Sequence, residues 1–127
     1  MKSILLVLPL ILFMTGCQTM AQIPKYSVVV TNGTTNLLTY AMVKYGDFES
    51  LGGSFPPGRK KVDELVPFPI PKQATVLWKS QDGESHEKLV EVQKALPKDF
   101  SDGDIIFTIL EGDKVEVTYK PFFKLPK

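Results

Sequence analysis

The sequence predicts an all-β fold, a small antiparallel β-sandwich built from hairpins, over residues 26–127. Three observations carry that reading. β-branched and aromatic residues fall in short runs, turn-forming residues separate the runs, and two of the runs alternate strictly between apolar and polar positions.

The elements follow in order. Tyr26–Thr31 is the first strand, ended by Asn32-Gly33-Thr34-Thr35-Asn36, a loop rich in residues that tolerate positive φ. Leu37–Tyr45 is the second. Thr75–Ser80 and Ser85–Val92 flank Gln81-Asp82-Gly83-Glu84, where Asp-Gly marks a hairpin. In the second arm His86, Lys88, Val90 and Val92 share one face; Glu87, Leu89, Glu91 and Gln93 share the other. A helix over Glu87–Leu96 competes only weakly with that alternation. Asp104–Leu110 and Lys114–Lys120 form the last hairpin, around Glu111-Gly112-Asp113. Its first arm is apolar on both faces, which predicts a central strand covered on both sides.

The middle of the chain is less regular. Gly46–Lys61 holds Gly52-Gly53, Pro56-Pro57-Gly58 and the basic cluster Arg59-Lys60-Lys61, and Pro67, Pro69 and Pro71 follow at alternate positions. Alternating proline suits an extended edge or polyproline segment whose amides need not enter a ladder. A rigid recognition loop is the other reading.

The first 16 residues read as an address. Lys2 supplies a positive start, and Ile4–Met14 is an uncharged apolar run interrupted by Pro9. That length suits a signal-peptide core and falls short of the ~20 residues that span a bilayer. Met14-Thr15-Gly16-Cys17 follows and resembles the lipobox of bacterial lipoproteins, with Met14 where leucine is usual. The resemblance implies a thioether between the Cys17 sulfur and a diacylglyceryl group, cleavage before Cys17, and acylation of the new amine. Several acyl chains give a lasting membrane anchor where one gives marginal binding. Cys17 is also the only cysteine, so no internal disulfide is available. Gln18 stands where aspartate would favour inner-membrane retention in Gram-negative lipoproteins, so the periplasmic face of the outer membrane is expected. Residues 17–25 then form the lipidated cysteine and a short tether, under ~30 Å even when extended.

Cleavage removes Lys2 from a chain of 15 basic and 14 acidic residues, leaving the two charges equal in number. Such balance gives no electrostatic footprint for nucleic acid. No catalytic constellation stands out. His86 is the only histidine, no metal site of nitrogen and sulfur ligands is supported, and no cofactor is expected. A serine–histidine pair stays open, but no nucleophile-elbow pattern accompanies a serine. Asp99, Asp102 and Asp104 around Gly103 read as turn formers, and Trp78 reads as core. Phe122 and Phe123 either cap the sandwich or form an exposed apolar patch.

Gly52-Gly53, the proline-rich turn, Val76-Leu77-Trp78, His86-Glu87-Lys88 and the closing hairpin from Phe107 to Val117 stand in an order that resembles a family of small bacterial lipoproteins. Some of its members are similar to immunity lipoproteins of type VI secretion effectors, phospholipases above all. The resemblance spans about Leu51–Pro121. It implies a non-enzymatic protein-binding module that occludes a toxic enzyme in the periplasm. The contact candidates are Phe48, Phe55, Arg59, Lys60 and Lys61, with the hairpin tips. A structural or assembly lipoprotein of an envelope complex is the alternative.

Overall fold

The computed structural model describes residues 25–122 and is all-β, with eight strands in two four-stranded sheets. The strands are β1 (Lys25–Asn32), β2 (Leu38–Tyr45), β3 (Phe48–Gly52), β4 (Lys60–Asp63), β5 (Gln73–Ser80), β6 (Ser85–Glu91), β7 (Asp102–Leu110) and β8 (Lys114–Lys120). The first sheet has the order β4-β1-β7-β8 and the second β3-β2-β5-β6. Cys17, the leader, most of the tether and Phe123 lie outside the described residues; Lys25, expected to end the tether, begins β1.

The hairpins β5–β6 and β7–β8 sit where the turn residues put them. Two strands were not anticipated. β3 closes a further hairpin with β2 through Gly46, whose φ of 55° suits a glycine. β4 pairs antiparallel with β1 along the edge of the first sheet. The sheet is also not purely antiparallel, because β1 and β7 run parallel from Lys25↔Asp102 to Asn32↔Ile109. Pro67, Pro69 and Pro71 lie in the irregular crossing from β4 to β5, tied to β1 where the Val66 N–H donates to the Tyr26 carbonyl at 2.8 Å. The end of β6 passes into a 3₁₀ turn at Gln93–Ala95, the only helical element among the described residues.

One core serves both sheets. Tyr26, Val28 and Val30 from β1 and Ile105, Phe107 and Ile109 from β7 meet Leu38, Ala41 and Val43 from β2 and Val76 and Trp78 from β5. Period-two burial along β5 and β7 sends their side chains to one face, whereas β1 is buried without a break from Tyr26 to Val30. The expectation that β7 is covered on both sides holds only for its inner face. It is central in its sheet, but Ile106 and Leu110 on the outer face are half-buried. Their shelter is lateral: Ile106 stands in one rung with Val29 on β1 and Thr118 on β8.

Asp102 and Asp104 were read as turn formers and are strand residues of β7 instead. Gly103 between them has φ 140°, and a Cβ there would lie 2.5 Å from the Lys120 carbonyl oxygen. The glycine marks the close approach of two backbones, which is why its surroundings resemble a turn in sequence.

At the end where the chain enters, Tyr26 and Tyr45 join the sheets through a 2.6 Å hydroxyl–hydroxyl contact, and Tyr26 also donates to the Pro69 carbonyl at 3.4 Å. Burial, above all, raises both phenols above their ordinary values; for Tyr45 the bond to Tyr26 adds to it. Both therefore stay neutral in the folded state where the unfolded chain ionises. Stability is present below the ordinary tyrosine range near ~10 and falls as pH rises through it. Alkaline titration with absorbance and circular dichroism together checks this. Part of the phenolate signal should emerge only as the β spectrum is lost, and full titration of all phenols in the folded protein would contradict it.

Candidate functional site

The strand registers place four loops at the end of the molecule opposite Lys25: residues 33–37, 53–59, 81–84 and 111–113. With ~3.3 Å per residue, an eight-residue strand such as β1 carries this end ~26 Å away from the point of chain entry. A cleft of about 350 Å³ opens there, lined by Thr34, Asn36, Trp78, Ser80, His86 and Asp113 among others.

Asn32 organises the loops. It is the last residue of β1 and fully buried. Its Nδ2 donates to the carbonyls of Asn36 (2.9 Å) and Phe55 (2.8 Å). Its Oδ1 accepts from the Thr34 N–H (2.9 Å) and hydroxyl (2.7 Å). Its backbone N–H donates to the Arg59 carbonyl, and its carbonyl accepts from Gly58 N–H. Every donor and acceptor of a buried amide is thus used, as burial demands. Glu111 adds a clasp from the other hairpin by accepting from the Thr35 N–H (2.8 Å) and hydroxyl (3.0 Å). Those two bonds hold its carboxyl below the usual range.

Ser80, His86 and Asp113 meet at the cleft. The hairpin register sets His86 opposite Trp78, and the two rings stack at 5.2 Å and 7°. His86 Nδ1 lies 2.6 Å from Asp113 Oδ1, and His86 Nε2 lies 3.0 Å from Ser80 Oγ. A carboxylate only accepts, so the proton sits on Nδ1, and a neutral ring then presents Nε2 as an acceptor to the serine hydroxyl. The His86 side chain is 16% exposed and that of Asp113 66%, so the imidazole is shielded while its carboxylate stands at the rim. A hydrogen bond whose carboxylate is so open to water contributes little stability. Its effect is on orientation. Asp113 holds φ 59° in the β7–β8 turn beside Gly112 at 77°, which turns its carboxylate towards the other sheet's hairpin.

The residues nominated from the sequence separate. Phe48 and Phe55 are core residues and offer no ring to a partner. Phe48 packs on Tyr45 and Phe68 at the chain-entry end. Phe55 fills the space that a side chain at Gly52 would need, 2.2 Å from its Cβ position. Lys61 is engaged within the protein, 3.3 Å from Asp63 and 3.5 Å from Ser50, where it joins the edge strands of the two sheets. Arg59, over the Phe55 ring at 5.8 Å, and Lys60 are exposed at the loop end. Phe122 is 44% exposed, so it does not cap the core. Among the described residues no cluster of histidine, cysteine and carboxylates could hold a metal.

No serine–histidine contact is evident in the sequence, and the fold brings Ser80, His86 and Asp113 together. Trp78 and His86 were within reach of the hairpin register. Asp113 was not, since it comes from a different sheet. No protein-family profile and no curated protein sequence matches the chain. An NMR structure of a protein from Eubacterium rectale superposes with a TM-score of 0.51 at 13% identity, over 77% of this chain and 90% of that one. At that identity the likeness is one of fold alone.

Replacing Asn32 with alanine removes four side-chain hydrogen bonds at once: the Thr34 N–H loses its acceptor, the Phe55 carbonyl keeps only the Leu38 N–H and the Asn36 carbonyl only the Thr34 hydroxyl, at about 0.5–1.5 kcal/mol net for each bond. Asn32→Ala should lower stability in urea by at least about 2 kcal/mol. Asn32→Asp should suffer more at neutral pH, where a carboxylate would face two carbonyls, and recover part of the deficit in acid. Equal midpoints for wild type and Asn32→Ala would contradict the assignment.

Proposed function

We infer that the chain is a lipoprotein, anchored through acylated Cys17 to the periplasmic face of the outer membrane, whose two-sheet sandwich binds a protein partner. The observation that supports it best is the position of the loop-end cleft. With Cys17 as the anchor, the short tether would keep the Lys25 end of the domain beside the membrane, and the ordered loops stand at the opposite end of the strands. A surface held by Asn32 and Glu111 needs little ordering on binding, which favours affinity. The binding surface therefore moves from the nominated Phe48–Lys61 segment to the loop end. Arg59 and Lys60 remain part of it; Phe48, Phe55 and Lys61 do not.

The partner class follows from the family resemblance: a toxic enzyme delivered to the periplasm, neutralised by stoichiometric occlusion. Lipidation would hold the inhibitor where a lipid-directed enzyme meets its substrate. The loop end, standing clear of the bilayer, would meet the toxin first.

Capture from envelope extracts, with mass spectrometry of what co-purifies, tests this. The full mature protein should retain one effector enzyme. Asp82→Lys, at the tip of the β5–β6 hairpin, should weaken retention at least about tenfold, equivalent to 1.4 kcal/mol. Leu89→Lys, exposed on β6 away from the cleft lining, should leave it unchanged. Deletion of the gene should sensitise cells to their siblings. Capture of envelope machinery alone, with no sensitivity on deletion, would favour the assembly role and overturn the immunity reading.

A further inference from the structure

We propose that Ser80 is an activated nucleophile and that Ser80, His86 and Asp113 form an acyl-transfer site for small carboxylic esters. The connectivity carries the proposal. Nδ1 of the imidazole meets the carboxylate at 2.6 Å and Nε2 meets the serine hydroxyl at 3.0 Å. This is the order in which a serine, a base and an orienting acid act in acyl transfer. The carboxylate fixes the tautomer, the stacked indole of Trp78 fixes the ring plane, and the cleft gives a reacting group a place beside Oγ.

The step balances with water as the only co-reactant. Ser80 Oγ adds to the ester carbonyl carbon as its proton passes to His86 Nε2. The bond to the alkoxy oxygen breaks, and the alcohol leaves with that proton. Water then adds to the acyl-serine, giving its proton to Nε2. The acid departs, and the Ser80 hydroxyl is restored. The charged residues in the cleft lining are Asp82, Glu111 and Asp113, with no lysine or arginine among them. A wall of that sign favours a neutral or cationic ester over an anionic one. The cleft of about 350 Å³ suits a small ester.

This activity is separate from partner binding, and its test is separate too. The full lipoprotein, purified in detergent, is treated with a fluorophosphonate probe and the adduct is mapped by mass spectrometry. Labelling should fall on Ser80 and vanish in Ser80→Ala. His86→Ala should slow it at least about a hundredfold, the usual contribution of a general base. Asp113→Asn, a change at an exposed turn that leaves the strands untouched, should slow it as well, which a merely structural role for the carboxylate would not produce. Absence of a Ser80 adduct in the folded wild-type protein would overturn the proposal. So would equal labelling rates in wild type and Asp113→Asn. Either result would leave His86 as a clasp between hairpins and would not touch the capture experiment.

Discussion

A single buried amide holds the loop end together. Asn32 closes β1, yet its side chain and backbone bond to three separate stretches of chain: the β1–β2 loop, Phe55, and the Gly58-Arg59 turn before β4. A polar group with no exposure is tolerated only when its hydrogen bonds are complete. Completeness here demands that all three stretches occupy one arrangement. The positions of Phe55 over the core and of Arg59 above its ring follow from it.

The two ends of the domain are consequently built by different physics. The chain-entry end is aromatic, with Tyr26, Tyr45, Phe48 and Phe68 packed where β2 turns into β3. The loop end is polar and held by directional bonds: Asn32 to the loops that cross between the sheets, Glu111 reaching Thr35, and Asp113 reaching His86. Apolar packing tolerates small displacements, whereas hydrogen bonds fix angles as well as distances. A recognition or reactive site belongs at the end whose geometry is fixed. Both the proposed binding role and the proposed serine chemistry would draw on that rigidity, though neither depends on the other.

The sequence made the hairpins legible because their information is local. Asp82-Gly83 and Gly112-Asp113 announce turns, and alternation in β6 and β8 announces faces. β3 and β4 are short and lie in a segment broken by glycine and proline, so their pairing depends on neighbours distant in sequence. The parallel union of β1 with β7 joins opposite ends of the domain and leaves no local trace. Asn32 was read as a residue suited to positive φ, but the described non-glycine residues with positive φ are Leu65 and Asp113. Its actual role, saturating a buried site, is a tertiary property. Likewise His86 was visible as a hairpin residue, and its acid partner was not. The aromatic nominees Phe48 and Phe55 failed for a related reason: beside glycines and prolines a phenylalanine looks exposed, and only the packed core shows that it is covered.

Amide hydrogen exchange tests most directly whether Asn32 holds the loop end in one arrangement. In the wild-type protein the N–H groups of Thr34, Phe55 and Gly58 should exchange slowly, alongside those of the central strands. In Asn32→Ala, protection at Thr34 and Gly58 should collapse while the amides of Val28 and Val30 in β1 keep theirs. Fast exchange of Thr34 and Gly58 in the wild type, or unchanged protection in the variant, would contradict the account.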